Sequence, residues 1–132
     1  MEKKKYILLK DLDVYKLARE LSKIAWQIYN SLDWRIKKII GDQFIEATDS
    51  VGANISEGYG RYHYLDKIKF YYNARASLNE CSDHWLELLN EREIIKNQDF
   101  KVFKNSAEKL SIKLNNFIAA NYKSKRNEFR QV

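Results

Sequence analysis

Three of the four glycines in this chain fall within twelve residues, Ser50-Val51-Gly52-Ala53-Asn54-Ile55-Ser56-Glu57-Gly58-Tyr59-Gly60-Arg61, and no proline occurs anywhere in its 132 residues. Proline costs about 3 kcal/mol in a helix interior, so a chain without it can sustain long helices. Gly58 and Gly60 then mark a place where one helix stops and the chain turns back. Glycine enters the left-handed conformation common just past a helix C-terminus without a Cβ clash, and Gly58 is expected there. Ser50, Gly52, Ala53 and Ser56 are small, which lets a neighbouring helix come close. The stretch reads as a tight interhelical corner. A phosphate-gripping loop is the weaker alternative, because the spacing differs from that of a P-loop and no strand precedes it.

Apolar periodicity supplies four helices around this corner. After a short charged lead-in over residues 1–10, Asp11 or Asp13 is placed to cap a first helix. Val14, Leu17, Leu21, Ile24 and Ile28 form one stripe on that helix. Tyr15, Ala18, Trp26 and Tyr29 form a second, about 130° around it. One buried face is enough for a bundle helix, so the second stripe predicts a further partner surface, with Tyr15, Trp26 and Tyr29 as candidate contacts between copies. Ser31 and Asp33 can cap a second helix, whose face is Ile36, Ile40, Phe44, Ala47, Val51 and Ile55. A third helix is expected from Leu65 or Asp66 to about Arg92, with Tyr71, Ala74, Leu78, Cys81, Trp85 and Leu88 inward. A fourth follows Asn97 to Asp99 with Phe103, Ala107, Leu110, Leu114, Phe117 and Asn121 on its face. From about Lys123 the chain reads as a frayed basic tail. The pattern predicts an all-α, up-down-up-down four-helix bundle over residues 11–122.

Charge is unevenly placed. Residues 1–100 hold 16 basic and 16 acidic side chains, so the net +6 lies wholly in residues 101–132. There Lys101, Lys104, Lys109, Lys113, Lys123, Lys125, Arg126 and Arg130 face only Glu108 and Glu128. Such a segment suits an anionic partner, RNA or DNA, although it also suits a solvated helix face. Tyr59, Tyr62 and Tyr64 at the corner offer rings for base stacking or for packing against helix ends. No apolar run of about 18 residues exists to span a membrane. Tyr6 to Leu9 is too short for the apolar core of a secretory signal, and a cytoplasmic protein is expected.

Chemistry is hard to place on these residues. Cys81 is the sole cysteine, and with Glu80 and His84 it does not complete a metal site; it reads as a small buried hydrophobe. His63 sits apart, in the corner. Helical ribonucleases of the HEPN type carry an arginine followed by a histidine four to six residues on, and neither Arg75 with His84 nor Arg61 with His63 has that spacing. No nucleophile lies near either histidine in a triad-like pattern. No enzyme activity and no cofactor are expected.

Several runs together resemble a family. Asp11-Leu12-Asp13-Val14-Tyr15, Ala53 to Arg61 with its Asn54, Glu57, Gly58, Gly60 and Arg61, Asp66 to Tyr71, and Ala76-Ser77-Leu78-Asn79-Glu80 resemble the bacterial four-helix proteins encoded in 23S rRNA intervening sequences. The likeness covers roughly residues 11–120. That family is related to the accessory proteins of diversity-generating retroelements. The resemblance therefore implies a non-enzymatic bundle that forms a ring-shaped homopentamer and contacts nucleic acid or a nucleic-acid enzyme such as a reverse transcriptase. Two departures stand out. The family often has proline where this chain has Gly52, so a softer kink is expected in helix two. It also tends to be basic at the positions of Ile45 and Glu46, which moves any phosphate contacts here toward the basic C-terminal quarter.

Overall fold

The computed structural model describes residues 6–130, with side chains as far as Lys123. It is a four-helix bundle with no strand among the described residues. A single 3-10 turn, Leu9–Asp11, leads into α1 (Asp13–Ser31). Helix α2 covers residues 34–59, α3 covers residues 64–91 and α4 is Asn97–Arg130. Short links make neighbours antiparallel, and α1 packs against α2 and α4 while α3 packs against the same two.

The caps follow the sequence only in part. Asp33 accepts from the Ile36 N–H at 2.9 Å and starts α2 as expected. Neither Asp11 nor Asp13 caps α1: Leu12 is the N-cap residue, with no side-chain bond, and Asp13 is already helical. There the carboxylate favours the positive helix terminus without capping it. Helix α3 begins at Tyr64, one residue ahead of the expected start. Its last helical residue is Glu91; just past the Arg92 C-cap, Glu93 takes φ 54 where glycine is usual, and Ile94 N–H donates to Leu89 O at 2.9 Å. Helix α4 runs to Arg130, so its backbone corrects the expected fraying from Lys123. Residues 123–130 contain good helix formers and neither glycine nor proline to stop them.

The core is one cluster running the length of the bundle, with Phe44, Tyr71, Phe103, Leu110 and Leu114 among its fully buried members. On α1 the buried positions are Val14, Ala18, Leu21, Ala25 and Ile28. Ala18, placed by the sequence in a second stripe, is in the core, and Leu17 and Ile24 are only half-buried. Alanines at the centre of the face let α1 come close to α2, where a Cβ on Gly52 would lie 3.6 Å from the Ala18 Cβ. Helix α2 is not interrupted at Gly52. Its irregularity lies earlier, in a π-helical turn over Lys37–Gly41.

A second π turn, Glu80–Trp85, changes the third face. Tyr71, Ala74, Leu78 and Cys81 are buried as the rhythm predicts, but Leu86 and Leu89 replace Trp85 and Leu88 inside. An i→i+5 turn accommodates one extra residue, so every later position rotates by about one residue. Ser82 becomes buried, and its carbonyl and hydroxyl accept from Lys104 Nζ at 2.7 and 3.3 Å.

Burial holds two acidic protons in place. It pushes the Cys81 thiol from 9.0 up to about 12. Burial, with the nearby Tyr59 and Tyr6 phenols adding to it, pushes the Tyr71 phenol from 10.0 up to about 12. Both groups fold most favourably in their neutral forms. Their contribution is complete below the unfolded values and is lost as pH rises toward the folded ones. Unfolding free energy should therefore fall between pH 9.0 and about 12, with a shallower fall in a Tyr71→Phe, Cys81→Ala variant. Denaturant titrations across that range check this. A native thiol that reacts promptly with an alkylating reagent at neutral pH would contradict it.

Candidate functional site

Helix α2 ends by close contact rather than by a left-handed glycine. No glycine has positive φ among the described residues, which corrects the conformation expected for Gly58. A Cβ there would lie 2.7 Å from Tyr71 Cε1 and 3.0 Å from Phe70 Cβ. Gly58 is thus required because the backbone of α2 rests on the α3 side chains, Tyr71 being fully buried beneath it. Gly60, at φ −80 and ψ −9, donates to Ser56 O at 3.1 Å in the last regular helical bond, and Arg61 N–H then donates to Gly58 O at 3.2 Å in a tightened final turn.

The rest of the motif serves this corner. Lys67 reaches back from α3 and donates to Tyr59 O at 3.0 Å and Gly58 O at 3.4 Å. A cation thereby meets carbonyls at the negative end of α2, and burial lowers the Lys67 ammonium below its ordinary value. Sequence reasoning missed Lys67 because its target lies on the preceding helix; a lysine one turn into the helix after a Gly-x-Gly corner was the available signal. Asn54 donates to Ser50 O at 2.8 Å within its own helix, so it does not bridge to a neighbour. Glu57 and Arg61 pair at 3.1 Å with both side chains about half exposed, a bond worth little by itself. The Arg61 guanidinium also lies over the Phe70 ring, at 4.9 Å. The N-terminal segment closes the outside, with Tyr6 beside Tyr59 and Ile7 O accepting from the Tyr59 hydroxyl. Of the corner tyrosines, Tyr62 is 92% exposed, while Tyr59 and Tyr64 are half-buried.

The three candidate self-association residues differ. Trp26 is 54% exposed and stacks on Tyr29 at 5.5 Å. Tyr29 is chiefly an internal strut: its hydroxyl donates to Asp42 Oδ1 at 2.7 Å, and its ring packs where a Cβ on Gly41 would stand at 3.3 Å. That hydrogen bond, followed by burial, raises the Tyr29 phenol above its ordinary value. Tyr15 is half-buried and accepts from Arg19 at 2.9 Å. It lines an open groove of about 890 Å³ between α1 and α2 with Arg19, Lys23, Asp49, Gly52 and Ser56.

The basic residues of α4 also divide. Lys104 is committed inside the protein, to Ser82, to Glu87 at 2.8 Å and to Asp83 at 3.6 Å. Lys101, Lys109, Lys113 and Lys123 are exposed. They lie within about 120° of arc, opposite the buried stripe, along about 33 Å of helix. Glu108 interrupts this row, and Lys113 borders a depression shared with Asp11 and Asp13. The side chains of Lys125, Arg126 and Arg130 lie outside the described residues, as do Lys3, Lys4 and Lys5. Among the described residues no three of His, Cys, Asp and Glu cluster as metal ligands, and no helix is long and apolar enough to cross a membrane.

Comparison with known proteins agrees with the geometry of the bundle. The sequence pattern of the 23S rRNA-intervening sequence proteins matches residues 10–116. A crystal structure of a protein of unknown function from the S23 ribosomal protein family of Bacteroides thetaiotaomicron superposes with a TM-score of 0.75 at 25% identity, over 81% of this chain and 96% of that one. Among curated proteins none matches.

Replacing Gly58 by alanine should cost about 1–3 kcal/mol, the range for overpacking a filled site. The equivalent change at Gly60, whose Cβ would meet only backbone oxygens at 3.6 and 3.8 Å, should cost less. Urea denaturation of the two variants checks the order. Equal stabilities would contradict the close contact at Gly58.

Proposed function

Since the chain belongs to the 23S rRNA-intervening sequence protein family, we propose that it is a non-catalytic, self-assembling bundle that acts as a cytoplasmic accessory or scaffold for nucleic acid. The observation that carries this reading is the solvent-facing row Lys101, Lys109, Lys113 and Lys123, set apart from the core and from the ion pairs that occupy Lys104. A row of cations along one helix meets successive phosphates and releases counterions as it does so. Assembly repeats the row on each copy, and modest single contacts then sum through effective concentration. The ring of five copies implied by the family likeness suits this use. In it the exposed Trp26 forms contacts between copies beside the Tyr15 groove. A nucleic-acid enzyme, such as a reverse transcriptase, is the protein partner that fits such a scaffold.

Two measurements test this reading. Sedimentation should give a mass several times 15.8 kDa, and Trp26→Glu should lower it while helicity persists. A concentration-independent monomer would rule out the assembly. RNA and DNA binding should weaken steeply with salt. Charge reversal at Lys101, Lys109 and Lys113, or deletion of residues 123–132, should weaken it further and flatten the salt slope, by about one for each phosphate no longer neutralised. Identical affinity and slope in these variants would leave the protein a scaffold for other proteins. Cleavage of RNA by clean protein without divalent metal would instead make it a nuclease.

A further inference from the structure

A different surface, at the elbow between α1 and α2, combines exposed rings with cations. Trp34 is the first residue of α2 and is 68% exposed, and Ile39 is 61% exposed. Lys38, one turn on from Trp34, places its ammonium 5.4 Å from the indole centroid. Arg35 and Lys38 are exposed, whereas half-buried Lys37 holds its ammonium 5.0 Å from the Tyr29 ring centroid. The two nearest carboxylates in sequence are both engaged, Asp33 with the Ile36 N–H and Asp42 with the Tyr29 hydroxyl. Nothing in the fold calls for an indole here. The cap needs only the Asp33 carboxylate, and the inward face of α2 runs from half-buried Ile36 to Ile40, leaving Trp34 and Ile39 outside it.

We infer that this elbow is a stacking platform for single-stranded nucleic acid, with a base on the Trp34 face away from Lys38 and phosphates drawn to Arg35 and Lys38. The inference rests on the nucleic-acid reading above and places a second contact away from α4. Charge complementarity selects the occupant. A polyanion with flat π faces satisfies both the cations and the exposed ring. An acidic peptide would match the charge and leave the indole without a flat partner. Single strands fit better than duplexes because their base faces are free to stack.

The test is fluorescence anisotropy with a labelled oligothymidylate of about twenty nucleotides, on the full chain and on Trp34→Ala, Trp34→Gln and Trp34→Phe, each at two salt concentrations. Circular dichroism melts check folding, and the exposure of Trp34 predicts unchanged melts. The two non-aromatic variants should bind about tenfold more weakly, the phenylalanine variant should keep most of the affinity, and the salt slope should not change, because stacking releases no counterions. A duplex of the same length should be insensitive to all three. Unaltered binding by Trp34→Ala and Trp34→Gln would overturn the platform and leave the α4 reading standing. Absence of binding by the unaltered protein would overturn both. A fall in sedimenting mass in either non-aromatic variant would make the elbow a contact between copies and overturn the platform.

Discussion

The packing of α2 against α3 at Gly58 sets the geometry of one end of the bundle. A backbone that lies directly on a tyrosine ring fixes both the separation and the rotation of the two helices, because interiors packed to crystal density transmit even a displaced methylene. Tyr71 is held from the other side by the edge of Phe117, whose ring centroid is 4.8 Å away. The α2–α3 corner and the middle of α4 are thereby coupled through one buried side chain. Lys67 adds a charge-assisted closure to the same corner, so the end of one helix and the start of the next are determined together.

Most of this architecture is legible in the spacing of apolar residues, and the parts that are not have definable causes. Periodicity located the four helices and most of the inward positions of α2 and α4, but it missed buried Thr48, and at the end of α4 Ile118 is buried where Phe117 and Asn121, only half-buried, were expected inward. It could not register the π turn in α3, where Trp85 and Leu88 continue the rhythm on paper while Leu86 and Leu89 occupy the core. A rotation of one residue leaves the sequence equally apolar on both faces and so is invisible there. Composition identified glycine at the corner, but not the reason for it. A left-handed turn and a Cβ with no room demand the same residue.

Side-chain pairing was still less visible. Lys104 belongs to the basic quarter by sequence and to the α3–α4 contact by structure. Tyr29 has the spacing of a surface aromatic, yet it braces α1 against Asp42 and Gly41. Both cases show one rule: a charge or ring at the margin of a buried face reaches inward whenever an unsatisfied group lies within its length. The lysines that remain outward on α4 are those farthest around the helix from the core, and distance from that margin is what separates them from Lys104.

The π turn of Glu80–Trp85 holds one residue more than a regular α-helical turn would. A helix in the middle of a bundle cannot absorb an inserted residue at its ends without shifting every contact beyond it. Here the surplus is taken up within one turn, and the cost is a displaced carbonyl that Lys104 satisfies from the adjacent helix. The lysine and the bulge are therefore coupled in the structure. A relative one residue shorter between positions 80 and 85 would keep a regular ladder, turn the residues in place of Trp85 and Leu88 inward, and be released from any need for a cation opposite.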